Sequence, residues 1–424
     1  MRADIAVVGS GLAALVATRT LQEAGRHPVL IWPGLSSLYF TYATVDVLGY
    51  ANGETVEPVE HPEAAVAELI AADPQHPYAR AGLDALRQGT TLLLSWLRDA
   101  GFSWQGSLDH NLLLPTATGT PKPSCLVPKS TVAGDLGRKD PIVFCGFIGY
   151  EDFVPELAAS NLSRSWADGD GSVRAMRVAV PRYEPGRLFT SVDLARSFEN
   201  DGFRREIVNR IHEQKAIDGT GARLGMPAVL GLTHDSEVHA RFEAELGHPV
   251  FEIPTLPPSV LALRLFDRLR KHLQEHGVEI IWAAPAHDAT VSDGQCRRIM
   301  LKAAGREQPV EARSYVFALE DTVDGAMRAG VHTIQDPFFH QMLEQSKVPT
   351  ERTDESLFKR QPVARVGYPV NDRLQPLDES GTPLAQNVFI AGGAIAGHDP
   401  AGTKSRGGLA IATGHRAAQE AMAA

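Results

Sequence analysis

Cysteine is scarce in this sequence and is never clustered. Cys125, Cys145 and Cys296 stand far apart in 424 residues and form no C-x-x-C pair. We therefore expect no disulfide framework, no zinc knot, no internal iron–sulfur cluster and no other bound metal. Sparse, unpaired cysteines fit a reducing compartment, which predicts a cytoplasmic protein.

Long apolar runs and an excess of basic residues are also missing. No uninterrupted apolar stretch approaches the ~18 residues that a membrane-spanning helix needs, so we expect membrane attachment only through a partner. Acidic residues number 51 and basic residues 41, which argues against nucleic acid as the main partner. The hydrophobic fraction of 43% fits a globular protein with a sizeable core.

Residues 1–31 predict a strand, a turn, a helix and a second strand. Residues 5–8 are a short buried run, residues 12–21 carry apolar side chains at helical spacing, and Gly25 ends the helix. Residues 29–31 are the second buried run. This order predicts one βαβ unit at the start of the chain.

The turn of this unit reads Gly-Ser-Gly-Leu-Ala-Ala over residues 9–14, a G-x-G-x-x-A motif. Gly9 permits a tight turn, Gly11 removes the Cβ that would block a phosphate, and Ala14 lets the helix pack close to the sheet. Free N–H groups and the positive end of the helix dipole also favour a phosphate there. The motif therefore predicts a dinucleotide site at these three residues, and the alternative is a tight turn without a ligand.

The tail of the chain repeats the order of strand, turn and helix. Residues 387–391 predict a strand, and residues 407–423 predict a helix after a glycine-rich loop. In two-ended flavin folds the last helix points its N-terminus at the pyrimidine end of the flavin ring, where its dipole stabilises the charge of reduced flavin. The alternative is a glycine-rich loop that only caps a helix. We predict flavin contacts from Gly392, Gly393, Gly397, Asp399, Gly407 and Gly408.

One usual feature of a dinucleotide site is absent. An Asp or Glu normally stands about 20 residues after the first glycines, at the end of the second strand, and binds the adenosine ribose. Here residues 30–33 read Leu-Ile-Trp-Pro. Either FAD is held by other groups, or the flavin is FMN, which has no adenosine. We therefore predict a bound flavin, with FMN favoured and FAD as the alternative.

His398 and Arg406 of the tail are predicted to take part in the chemistry. His398 stands beside Asp399 in the glycine-rich loop and is the best acid/base candidate, with an ordinary loop residue as the alternative. Lys404 and Arg406 precede the last helix, where cations oppose the helix dipole unless an anion lies between. A phosphate group or reduced flavin would be such an anion, and Arg406 can hold a phosphate with two parallel hydrogen bonds. The alternative is two solvated charges.

Both ends of the chain thus predict parts of one domain. We expect an α/β fold of the FAD/NAD(P)-binding, Rossmann-like type with two dinucleotide folds, formed by residues 1–140 and 250–424. Residues 141–249 contain further strand patterns, one of them at 227–232, and are predicted to form an inserted α/β domain.

Two more patterns precede the tail. An amphipathic helix is predicted after Pro258, with Leu261, Leu265, Leu269 and Leu273 on one face. The dipeptide at 293–294, Asp-Gly between two short alternating runs, predicts a hairpin.

Four segments of the sequence resemble one known family. Met-Arg-Ala-Asp at residues 1–4 leads into the first glycine turn, and His-Pro-Tyr stands at 76–78. Pro-Thr-Leu-Pro-Pro-Ser-Val-Leu stands at 254–261, and the tail runs from Asn387 through Gly397-x-Asp399-Pro400. Together these segments resemble the B subunit of anaerobic glycerol-3-phosphate dehydrogenase, and the resemblance covers nearly the whole chain.

The resemblance implies an enzyme that oxidises sn-glycerol 3-phosphate to dihydroxyacetone phosphate and passes electrons toward a quinone. It implies two partners: an A subunit that contains FAD and is the expected seat of substrate oxidation, and an iron–sulfur C subunit that attaches the pair to the inner face of the cell membrane. The B subunit of the family is described as an FMN protein. Two alternatives stay open, a self-sufficient FAD-dependent oxidoreductase that acts on another small substrate and a scaffold subunit without flavin.

Overall fold

The apolar runs at the two ends of the chain form strands of one sheet, and both pair with a third strand at residues 306–318. The computed structural model describes residues 1–34, 36–51, 57–166, 173–181, 184–218, 221–303, 305–320, 326–346, 348–356 and 359–424. Its strands are β1 Arg2–Val8, β2 Val29–Ile31, β3 Trp104–Gly106, β4 Leu112–Pro115, β5 Pro121–Ser124, β6 Leu126–Pro128, β7 Ile142–Ile148, β8 Val173–Ala179, β9 Arg223–Pro227, β10 Val250–Ile253, β11 Glu279–Ile281, β12 Ala286–Ser292, β13 Gln295–Ala303, β14 Arg306–Ala318, β15 Arg328–Ala329, β16 Thr333–Gln335, β17 Met342–Gln345 and β18 Val388–Ala391.

Helices alternate with these strands over much of the chain. They are α1 Leu12–Glu23, α2 Pro62–Ala72, α3 Pro77–Ala81, α4 Leu83–Asp99, α5 Pro155–Ser165, α6 Ser191–Phe198, α7 Asp201–Glu213, α8 Asp235–Leu246, α9 Val260–Glu275 and α10 Arg406–Ala423. Short 3₁₀ turns are formed by Ser37–Phe40, Lys129–Gly134, Pro349–Arg352, Pro362–Arg365 and Gly392–Ala394. In the described part of the chain, no helix is both long enough and apolar enough to cross a membrane.

The first compact unit contains residues 1–38, 45–100 and 268–424. Its sheet has the order β11-β2-β1-β14-β13-β12, and β18 pairs with β14. The pairs of β1 with β2 and β14, and of β14 with β18, are parallel. All four residues of β18 are buried, which is why this strand reads as an unbroken apolar run. Helix α10 packs against α1 and α4. The predicted βαβ unit and the tail strand and helix are confirmed.

The hairpin predicted at residues 293–294 joins β12 to β13. Asp293 has a φ of 52° and Gly294 a φ of 69°. Two successive residues in the left-handed region match the two-residue turn that suits the twist of antiparallel strands. The amphipathic helix predicted after Pro258 is also confirmed, because the four leucines of its stripe lie buried on α9.

The second compact unit contains residues 39–44 and 101–267. A parallel sheet of order β10-β9-β7-β8 forms its centre, and β7 pairs with both β8 and β9. Aromatic side chains fill the core around the sheet, with the rings of Phe144 and Phe251 edge to face at 6.3 Å. The central sheet of this unit is thus parallel.

The boundaries of this unit differ from those expected, because it takes in residues 101–140 and 250–267 as well as 141–249. A buried arginine explains part of the difference. Arg223 on β9 donates hydrogen bonds to the backbone oxygens of Ala133, Asp135, Arg138 and Asp140. Burial lowers the pKa of Arg223 to about 10, and its bonds hold the segment 133–140 to the sheet.

The strand predicted at 227–232 was wrong in position. The strand β9 ends at Pro227, and the chain turns at Gly231, which has a φ of 83°. The amide of Leu230 donates to the carboxylate of Glu252 at 2.8 Å instead of to a neighbouring strand. An apolar run alone did not distinguish this turn from the strand before it.

Candidate functional site

The first glycine turn, residues 9–11, joins β1 to α1 in the first unit. Gly9 has a φ of 145°, and a Cβ at this position would lie within 3.0 Å of the carbonyl oxygen of Ala318. The same Cβ would lie 3.2 Å from the Cβ of Ala14. Gly9 therefore permits both the turn and the close packing of α1 on the sheet, as the motif predicts.

Gly11 is the N-cap of α1, and the carboxyl group of Glu320 lies beside it. A Cβ on Gly11 would be 2.6 Å from Oε1 of Glu320 and 2.7 Å from its Cγ. Glu320 follows β14, and only 3% of the residue is exposed. A carboxylate of the chain itself therefore lies at the place that the motif predicted for a phosphate.

Sequence reasoning missed Glu320. One signal for it was present, since this acid follows directly on a buried apolar run, residues 315–319. Ligands of open parallel sheets bind beyond the carboxyl ends of the strands. The pairing of β14 with β1, which places this acid at the first glycine turn, joins residues about 300 positions apart and was not visible in the sequence.

The end of β2 carries no carboxylate, as the sequence indicated. Trp32 is buried there, and its Nε1 donates to the carbonyl oxygen of Gly34 at 2.6 Å. Its ring lies 5.2 Å from that of Trp282, centroid to centroid. The usual carboxylate acceptor for an adenosine ribose is therefore replaced by an apolar pair of rings.

The second glycine turn, after β18, reaches the same place as the first. Gly392 has a φ of 82°, and a Cβ there would lie 2.7 Å from the carbonyl oxygen of Leu319. A Cβ on Gly393 would lie within 3.0 Å of the carbonyl oxygen of Glu320. The structure thus brings Gly9, Gly11, Gly392 and Gly393 together around residues 318–320.

The glycines at the start of α10 lie against backbone. The amide of Gly408 donates to the carbonyl oxygen of Asp46 at 3.0 Å, and a Cβ on Gly407 would lie 3.0 Å from the amide nitrogen of Asp46. A Cβ on Gly408 would be 2.8 Å from Cα of Val47 and within 3.0 Å of the hydroxyl of Tyr78. Both glycines allow α10 to pack against residues 45–47, and their contact with a flavin stays a prediction.

The loop before α10 is held by its own hydrogen bonds. Oδ1 of Asp399 accepts from the amide of Gly402 at 2.9 Å, and its backbone oxygen accepts from the hydroxyl and the amide of Thr403. Gly397 has a φ of 96° and donates to the carbonyl oxygen of Arg365 at 3.0 Å. Asp399 therefore shapes the loop in this structure, and its predicted contact with a flavin is a proposal.

His398 is buried in this loop beside a second histidine. The residue is 2% exposed, and among the described residues neither of its ring nitrogens has a hydrogen-bond partner. Burial, together with the charges of His76, Arg406 and Arg365, lowers the pKa of His398 to about 3. His398 is therefore neutral at pH 7, and its ring nitrogens can bind a ligand.

His76 lies with its ring edge-on to that of His398, at 6.2 Å between centroids. Its Nδ1 accepts the amide of Tyr78 at 3.1 Å at the start of α3. Burial lowers the pKa of His76 to about 4, against the opposing charge of Asp73. The sequence segment at 76–78 that carried part of the family resemblance thus stands next to the predicted acid/base residue.

Arg406 begins α10, and the structure supplies an anion in front of it. Its Nη1 lies 3.9 Å from Oε2 of Glu320. Arg406 and Arg365 are the two cations whose charges act on His398, and they make its surroundings basic. Such a cluster suits a ligand that carries a phosphate or carboxylate group.

Comparison with known proteins now adds to this geometry. The model of a protein family described as the FAD binding domain matches residues 4–408. The chain belongs to this FAD-binding domain family. The predicted α/β fold of the FAD-binding type is therefore confirmed.

Curated relatives align with the whole chain. A protein of Halobacterium salinarum, named as a probable B subunit of anaerobic glycerol-3-phosphate dehydrogenase, is 29% identical over 100% of this chain and 99% of that protein. Proteins named as the B subunit of the same enzyme are 26% identical in Vibrio vulnificus, over 99% and 96%, and 27% identical in Mannheimia succiniciproducens, over 100% and 99%. The resemblance stated from the sequence is confirmed.

Membership of the FAD-binding domain family supports a flavin cofactor, FAD, and gives no support to the preference for FMN. The two glycine turns would hold the flavin with their backbone N–H groups, because the spaces left by Gly11, Gly392 and Gly393 are filled by residues 319 and 320. A flavin phosphate fits beside Gly11 on the condition that the carboxyl group of Glu320 turns away from it.

Proposed function

We propose that this chain is the flavin subunit of a dehydrogenase that oxidises sn-glycerol 3-phosphate to dihydroxyacetone phosphate. The observation that carries the proposal is the full-length similarity to proteins named as the B subunit of the anaerobic enzyme. Membership of the FAD-binding domain family supports FAD as the cofactor. The basic surroundings of His398 support a substrate with a phosphate group.

Arg406 and Arg365 have the chemistry to bind the substrate phosphate. A guanidinium offers parallel N–H donors, and both cations act on the same buried histidine, His398. A phosphate dianion bound there raises the pKa of His398, because the opposite charge stabilises the protonated ring. His398 would then accept the proton of the substrate's C2 hydroxyl on a ring nitrogen. A flavin, when bound, supplies the acceptor for the hydride of the same carbon.

The identity of the flavin is decided by what denatured protein releases. FAD is the flavin that the family supports. FMN would follow if the buried Trp32, which stands where a ribose-binding carboxylate is usual, prevents adenosine from binding. Chromatography of the released cofactor distinguishes the two, and release of no flavin would contradict both.

The partners form the finer part of the proposal. The relatives are named as subunits, which implies a complex of several chains. We propose an A subunit that contains FAD and an iron–sulfur C subunit that receives the electrons, transfers them to a quinone and attaches the pair to the inner face of the membrane. The three cysteines of this chain are buried singly and provide no cluster of their own for that transfer.

The direct test is oxidation of glycerol 3-phosphate with a quinone analogue, by the chain alone and after co-expression with its partners. Turnover is expected only with the partners, and His398→Asn is expected to lower kcat. His415→Asn is the matched control for loss of a buried histidine ring, since His415 lies on α10 and its Nδ1 is hydrogen-bonded to Thr20. Robust quinone-linked turnover by the lone chain would contradict the need for partners, and no turnover in the complex would contradict the substrate.

A second candidate is a scaffold subunit without flavin. The carboxyl group of Glu320 beside Gly11 favours it, because an anion already lies at the expected phosphate position. The visible spectrum of the purified chain separates the two functions. Flavin bands would exclude the scaffold. The third possibility, a self-sufficient FAD-dependent oxidoreductase on another substrate, would then be tested by the activity assay.

A further inference from the structure

The N-terminus of α1 has no acidic partner from its own helix. Its N-cap is Gly11, which has no side chain with which to cap the helix, and no acidic residue stands in the first turn. Free N–H groups and the helix dipole make such an end attractive to an anion. In the FAD-binding domain family this place is available to the phosphates of the dinucleotide.

Glu320 brings a carboxyl group to this place from a distant part of the chain. Its Oε1 lies 2.6 Å from the position that a Cβ on Gly11 would take, so the absence of a side chain at Gly11 is what gives it room. The side chain is buried rather than spread into solvent. The carboxyl group therefore occupies volume that a phosphate would need.

The backbone of the residue before Glu320 holds it in position. The amide of Leu319 donates to the carbonyl oxygen of Ala391 at 3.2 Å, and the carbonyl oxygen of Leu319 accepts from the amide of Ala394 at 3.0 Å. Gly393 approaches the carbonyl of Glu320 so closely that any side chain would clash. Arg406, at 3.9 Å from Oε2, adds an attractive charge.

We propose that Glu320 is a resident anion that competes with the phosphates of a nucleotide ligand for the N-terminus of α1. A phosphate can bind there only when the carboxyl group turns away from Gly11, and then only against repulsion from its charge. Glu320 thus sets the affinity of the chain for phosphate-bearing flavins and adenine nucleotides. This inference concerns the glycine turn alone and does not depend on which substrate the enzyme oxidises.

Neutral variants of Glu320 provide the test. The full-length chain, freed of flavin, is titrated by calorimetry with ADP, FAD and riboflavin for wild type, Glu320→Gln and Glu320→Ala. ADP carries the two phosphates without the flavin ring, and riboflavin carries the ring without a phosphate. Removing a like charge next to a bound anion is expected to strengthen ADP and FAD binding about tenfold to a hundredfold. Riboflavin binding should stay within about twofold of wild type, since no phosphate is present to meet the charge.

Glu420→Gln is the matched control, because Glu420 is an acid on α10 that pairs with Arg373 and Arg416 and lies about 20 Å along the helix from Arg406. The nucleotide affinities of Glu420→Gln should equal those of wild type.

Thermal melting followed by circular dichroism shows whether each variant is folded. If Glu320→Gln does not fold, the comparison uses Glu320→Ala alone. Unchanged ADP affinity in the folded variant would overturn the proposal. Equal strengthening of riboflavin binding would overturn it as well, since the effect would then not come from the phosphates.

Discussion

Gly408→Ala tests whether the glycines at the start of α10 are required by packing. In an exposed helix, replacing glycine by alanine stabilises a protein by about 0.8–1.0 kcal/mol. Here the new Cβ would lie 2.8 Å from Cα of Val47 and still closer to the hydroxyl of Tyr78. Backbone atoms cannot yield as the end of a flexible side chain does. The overpacking cost of about 1–3 kcal/mol is expected to reverse the sign, so the variant unfolds at a lower urea concentration.

The loss of stability in Gly408→Ala can be divided between the clash with Val47 and the clash with Tyr78. Tyr78→Phe removes the hydroxyl, which also donates to the carbonyl oxygen of Val47, and therefore costs about 1 kcal/mol by itself. The double variant should be more stable than the sum of the two single effects, because one of the two clashes is gone. Gly34→Ala is the matched control, since nothing lies within 4 Å of its added Cβ. A Gly408→Ala protein as stable as the Gly34→Ala protein would refute the reasoning.

Three further predictions follow from charges. Arg406→Ala should weaken binding of flavin or glycerol 3-phosphate about tenfold to a hundredfold and leave the fold intact, and affinities within twofold of wild type would contradict it. The pKa values of His398 and His76 are lowered from 6.5 to about 3 and about 4, so between these values and 6.5 the unfolded chain binds more protons than the folded one. The contribution of the two neutral rings to the free energy of unfolding is therefore complete above pH 6.5 and falls as the pH drops toward 4. Replacing both histidines by asparagine should make the urea midpoint less dependent on pH across that range. Arg264→Met should destabilise the second unit by about 3–5 kcal/mol in urea unfolding, because the buried carboxylate of Glu252 loses its bidentate partner, and an unchanged midpoint would refute this.

The parts of the fold that the sequence predicted depend on local patterns. Residues 5–8 and 29–31 are short apolar runs bounded by turn residues, and the strands β1 and β2 follow them closely. The hairpin turn at Asp293 and Gly294 was predictable because these two residue types tolerate the positive φ that the turn needs. The leucine stripe of α9 repeats at helical spacing, so it predicted a helix without knowledge of its neighbours.

The parts that the sequence did not predict depend on contacts between distant segments. Arg223 reads as a charge at the start of a strand, and only the structure shows its bonds to the segment 133–140. The acid Glu320 meets Gly11 only because β14 pairs with β1. His398 was selected from its loop, but its burial beside His76 was not visible, because the two residues come from opposite ends of the chain.

The position of β1 in its sheet has a consequence for biosynthesis. Its neighbour β14 is made long after it, with Arg2 and Glu311 standing 309 residues apart. At about 5–20 residues per second, the first strand waits roughly 15–60 seconds on the ribosome before that neighbour emerges. Residues 101–267, by contrast, leave the ribosome as one continuous stretch and can form their own sheet in the meantime. We therefore expect the apolar N-terminal segment to be accessible to chaperones until β14 has been made, and to proteases in a nascent chain that stops before β14.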